Sequence, residues 1–79
     1  MKLWLLSQSV NNDYDTYDAA VVAAETEEEA RNTLPSEYSH WGEQGRNWAP
    51  TPDQVEVEYL GEAKEGTKAG AILSSFNAG

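Results

Sequence analysis

The chain has no cysteine, which removes disulfides and thiolate metal sites together and fits a reducing compartment. It is also poor in positive charge. Five Lys and Arg face fourteen Asp and Glu, for a formal net charge of −9 on 79 residues. Nucleic-acid binding depends on basic side chains that neutralise phosphates, so direct contact with DNA or RNA is not expected. Long apolar runs are missing as well. Leu3-Trp4-Leu5-Leu6 near the start is too short for a signal-peptide core or a membrane span. These shortages predict a soluble cytoplasmic chain with no membrane partner.

What remains is enough for one small fold over 1–79. Hydrophobic residues make up 39% of the chain, with three Trp, four Tyr and one Phe. Disordered acidic tails are poor in such residues, so this chain is expected to pack. A domain of this size buries only about 60% of its unfolded surface, which leaves a modest core.

Residues 2–8 read as a strand with apolar side chains on both faces, a pattern of central strands or of a second face that meets a partner. The exposed-face option around Trp4 and Leu6 leaves room for a homodimer. Residues 18–24 mix alanine with Val21-Val22; the β-branched pair and the turn-rich residues before them favour a second, antiparallel strand. Thr26 followed by Glu29 fits a capping box, with the hydroxyl on the N–H three residues on and the glutamate reaching back. Glu27, Glu28 and Glu29 then suit the first helical turn, and Arg31 lies one turn after Glu27. Pro35 ends this helix at Leu34.

Residues 35–53 show no periodicity and form a long loop holding Tyr38, His40, Trp41 and Trp48. Residues 54–60 alternate Val55, Val57 and Tyr59 with Glu56 and Glu58, a half-buried strand with an acidic outer side. A glycine-rich turn leads to a last strand at 71–76. The order β-β-α-β-β predicts an α+β fold, a largely antiparallel four-stranded sheet with one short helix on one face.

Several of these segments resemble a family of small acidic proteins of bacteriophages and prophages. The resemblance lies in Lys-Leu-Trp-Leu-Leu-Ser-Gln at 2–8, Tyr-Asp-Thr-Tyr-Asp at 14–18 and Ala-Val-Val-Ala-Ala-Glu-Thr-Glu-Glu-Glu-Ala-Arg at 20–31. It continues in Val-Glu-Val-Glu-Tyr-Leu-Gly-Glu-Ala at 55–63 and Ala-Ile-Leu-Ser-Ser-Phe-Asn-Ala-Gly at 71–79. It covers most of the chain apart from the central loop and brings no catalytic residues with it. It implies a host bacterial cytoplasm and, for proteins of this kind, inhibition of host defence, anti-CRISPR activity included.

The chemistry-bearing residues suggest binding rather than catalysis. Between Lys2 and Arg31 there is no positive side chain but seven carboxylates. Asp13, Asp15, Asp18, Glu27, Glu28 and Glu29, extended by Glu56 and Glu58, are candidates for a DNA-mimicking surface that binds a host protein with a basic nucleic-acid-binding groove. The plainer alternative is a solvated acidic face.

Asp13-x-Asp15-x-x-Asp18 fails as an EF-hand, because Asp18 and Ala24 stand where Gly and Glu are required. Turn chemistry suffices there, and no metal or cofactor is expected. His40 has no nucleophile partner, so the chain does not read as an enzyme. Tyr38, Trp41 and Trp48 form a second candidate binding set, since Trp and Tyr anchor interfaces; their alternative is to cover the sheet as core. A third function, a sponge for a small defence signal, would need basic donors that the chain has few of.

Overall fold

The computed structural model describes residues 1–11, 16–36, 39–42 and 47–77. In chain order it has β1 (Lys2–Ser7), β2 (Thr16–Ala24), α1 (Glu27–Arg31), a 3-10 turn at Pro52–Gln54, β3 (Glu56–Glu62) and β4 (Gly70–Asn77). The strands form one sheet in the order β3-β1-β2-β4, and every neighbouring pair is antiparallel. The α+β fold with a four-stranded sheet and one short helix is the one that patterning predicts.

β1 is central, as its two-sided apolar character requires. Trp4 pairs with Val22 and Tyr59, and Leu6 with Ala20 and Val57, so these side chains share one face. Trp4, Leu6, Ala20, Val22 and Ala24 join Ala30, Trp48, Ala49 and Val55 in a single core. Trp4 and Leu6 are therefore interior, at 8% and 0% exposure, and do not offer the dimer surface considered for them. Leu3 and Leu5 alternate to the other face, with Val21 and Leu73 beside them. No helix covers that side among the described residues.

The helix is shorter than expected. It ends at Arg31, and the chain turns at Asn32, whose N–H reaches the carbonyls of Ala30 and Glu28. Its start follows the expectation in part. Thr26 Oγ1 accepts from the Glu29 N–H at 3.1 Å, but the Glu29 carboxylate accepts from Glu25 N–H, one residue before the cap. The first contact satisfies a donor that a helix start leaves open, and the second ties the residue before the cap to the first turn. Arg31 ties the other end of α1 to β3, donating to the Val55 carbonyl and pairing with Glu27 at 3.3 Å.

The predicted loop at 35–53 supplies part of the core. Trp48 and Ala49 are fully buried. Tyr17 N–H donates to the Asn47 carbonyl at 2.7 Å, and the Asn11 amide donates to the Trp48 carbonyl at 3.3 Å, which fixes this segment over the sheet. Gln8 braces the same region from below. Buried at 5% exposure, its amide donates to the carbonyls of Asn11 and Tyr17, and its oxygen accepts from the Val10 and Asn11 N–H groups. Every polar atom of that buried side chain is thus used.

Three bulges shape the sheet. Leu60 is extra on β3, between the Trp4–Tyr59 and Leu3–Gly61 pairs. Gly61 follows it at φ +148°, a backbone region where side-chain-bearing residues are strained. Asp18 is extra on β2 and Ile72 on β4. The bulges locally shift the face alternation. Tyr59 precedes the β3 bulge and stays on the face of Trp4, with ring centroids 5.3 Å apart; it is half exposed because β3 is an edge strand.

Candidate functional site

The carboxylates divide by location. Glu56 and Glu58 lie opposite Ser7 and Leu5, so they leave β3 on the face away from α1. Glu56 accepts a hydrogen bond from the Ser7 hydroxyl at 3.5 Å. They share a cleft with Asp53, Leu5, Ser7, Val55, Val57 and Arg31. Asp53 enters it from the 3-10 turn that feeds β3, where Pro52 begins the turn. Arg31 also lines this cleft, with two of its guanidinium donors engaged by Val55 and Glu27. The β3 edge is therefore acidic on both sides of the sheet: Glu27 above, with Asp53, Glu56 and Glu58 along and below it.

The other proposed residues are less concentrated. Asp18 is exposed at the bulge of β2. It stands at the same end of the sheet as Glu56, since Ser7 pairs with both Ala19 and Glu56, but two strands away, or roughly 10 Å at ordinary strand spacing. Glu28 and Glu29 are exposed on the helix, and Glu29 serves its start. The acidic groups therefore occupy an edge and its flanks rather than one flat face. Asp13 and Asp15 lie outside the described residues.

Positive charge collects at the opposite end. Lys2 opens β1 and its ammonium reaches the Glu25 carbonyl at 3.4 Å. The N-terminal amine pairs with Glu25 at 3.4 Å. Lys64 and Lys68 belong to the connection between β3 and β4, at the Lys2 end. Such an arrangement leaves Asp53, Glu56 and Glu58 without a cationic partner among the described residues, so their field projects into solvent. No group of three His, Asp or Glu is close enough to hold a metal ion among the described residues. The spacing is that of a row, Glu56 and Glu58 standing about 7 Å apart along the strand.

The aromatic candidates fare differently. Trp48 is fully buried and Trp41 is half-buried against the core, so Trp48 covers the sheet and is no surface anchor. Tyr38 lies outside the described residues. His40 is exposed. Sequence reasoning missed Asp53, although a signal existed: it sits three and five residues before the two outward glutamates, on a Pro-initiated turn that curls it to their side.

One titration stands out. The Tyr59 hydroxyl donates to the Glu62 carboxylate at 2.6 Å, and this hydrogen bond, with some desolvation and the glutamate's charge, raises the phenol's pKa above its usual 10.0. The phenol belongs to the acidic edge, but its shift explains a local clasp, not a reaction. No protein-family model, curated protein or solved structure matches the chain. No helix among the described residues is long and apolar enough to cross a membrane.

Proposed function

We propose that this protein is a phage-encoded, non-enzymatic inhibitor of a host defence system, of the anti-CRISPR kind. It binds a host protein through the acidic β3 edge, which occupies a basic groove that otherwise holds nucleic acid. The observation that carries this reading is the convergence of Asp53, Glu56 and Glu58 on one cleft, with the nearby Arg31 already engaged by Glu27 and Val55. A row of carboxylates several ångströms apart, with no ion pair among the described residues, offers a basic groove what a phosphate row offers: repeated negative charge with acceptors and no donors. Glu27 and Glu28 on the helix and Asp18 on β2 extend the field at its margins.

The resemblance to small phage proteins supplies the host setting, and the charge supplies the type of partner. Electrostatic complementarity acts mainly on encounter rate and partner choice. Affinity purification from the bacterial host at low and at high salt tests the reading. A captured nucleic-acid-binding protein that is lost at high salt, and lost when Glu56 and Glu58 are changed to Lys, supports it. Capture that survives both treatments contradicts it.

A further inference from the structure

We propose that the protein self-associates through the outer edge of β4, as a twofold dimer in which two β4 strands pair antiparallel and the two sheets become one of eight strands. The starting point is a difference between the two edges of the sheet. β3, at one edge, carries Glu56, Glu58 and Glu62. Charged side chains on an edge strand are a standard protection against pairing with another chain.

β4, at the other edge, has only the bulge at Ile72 by way of such protection. Its eight residues, Gly-Ala-Ile-Leu-Ser-Ser-Phe-Asn, include no charge and no proline. It pairs with β2 alone, and no backbone hydrogen bond reaches its outer side among the described residues. Three large apolar side chains on it are exposed: Ile72 at 55%, Leu73 at 69% and Phe76 at 47%. Phe76 is held against Tyr17 at 4.8 Å, which fixes part of the strip in place.

Charge selects the occupant. Two chains of formal charge −9 repel each other, so they meet best where neither brings a carboxylate. Pairing through β4 sends both acidic β3 edges to the outside, roughly 34 Å apart across seven strand spacings, well beyond the ~8 Å screening length of physiological salt. A basic partner gains nothing from a neutral strip, whereas a second copy brings an identical one, as a self-complementary twofold contact requires. Strand addition supplies the missing backbone partners. On the open face Leu73 stands beside Val21, and Val21 beside Leu5. The twofold places a second such row next to the first and makes one longer apolar stripe.

Sedimentation equilibrium of the pure protein, from low to high micromolar concentration, tests this without any host partner. The expected result is a two-chain mass for the unaltered protein at high concentration. Leu73→Lys and Ser75→Lys, both at exposed positions, should weaken association about tenfold or more while the circular dichroism spectrum stays unchanged. Val21→Thr, on the same face but away from the edge, should leave the two-chain mass in place. Added salt should strengthen the dimer by screening like charges, whereas it weakens binding to a basic host protein, so the two ideas fail separately. A one-chain mass at every concentration overturns the proposal. So does a dimer that ignores both lysine variants, or one that Val21→Thr abolishes, which would mean stacking of the open faces.

Discussion

Trp48 tests whether the central segment is core or contact surface. The residue is fully buried, and truncating a buried Trp to Ala costs about 3–5 kcal/mol in lost transfer energy and cavity. A domain of this length has only about 4–12 kcal/mol of stability. Trp48→Ala should therefore consume about a quarter of it or more and lower the urea midpoint by about 2 M, taking a slope of about 2 kcal/mol per M. A second variant separates packing from hydrogen bonding. Trp48 Nε1 is buried with no hydrogen-bond partner among the described residues, whereas Trp4 Nε1 donates to the Ala24 carbonyl at 3.0 Å. Trp48→Phe removes the orphaned donor, which relieves about 1–3 kcal/mol of desolvation. The smaller ring opens a cavity of ~40 Å3, at about 1 kcal/mol. The phenylalanine variant should thus range from unchanged to about 2 kcal/mol more stable than the unaltered protein by this arithmetic. Urea unfolding followed by far-ultraviolet circular dichroism measures both. An alanine variant with an unchanged midpoint would refute the core assignment, and a phenylalanine variant as damaged as alanine would refute the argument from the orphaned N–H.

The helix start gives a smaller effect: Thr26→Ala removes the acceptor for Glu29 N–H and should cost about 1 kcal/mol in the same assay. Tyr59 should ionise above the usual 10.0 in a spectrophotometric titration, because its hydrogen bond to Glu62 raises its pKa, and Glu62→Gln should return it toward 10.0. The sign follows from linkage: with a folded pKa above the unfolded one, the stability tied to this clasp is complete below pH 10.0 and is lost as pH rises through the raised value.

The strands were legible because their side chains alternate at the period of a sheet. Val55, Glu56, Val57 and Glu58 carry that period clearly, and the central place of β1 follows from apolar residues at both parities. The helix was legible at its start, where Thr26 and Glu29 act locally, and less so at its end, where Asn32 closes the turn before Pro35 has any influence. Bulges at Asp18, Leu60 and Ile72 leave no trace in periodicity, and the half-exposed position of Tyr59 depends on β3 being an edge strand, which alternation does not reveal. Trp48 could not be assigned because an aperiodic segment packs through contacts distant in sequence. The same limit hid the acidic edge. Glu56 and Glu58 were visible as outward residues, but their meeting with Asp53 depends on the turn before β3. Their separation from Glu28 and Glu29 depends on which face the helix covers.

The central claim is that the acidic β3 edge competes with nucleic acid for a basic groove. The most direct measurement is displacement of a labelled DNA duplex from the host protein recovered at low salt, followed by fluorescence anisotropy. The account predicts displacement by the unaltered protein, progressive loss of displacement as salt is added, and at least about tenfold weaker competition when Glu56 and Glu58 are both changed to Lys. Competition of unchanged strength by that doubly reversed, still folded variant would contradict it.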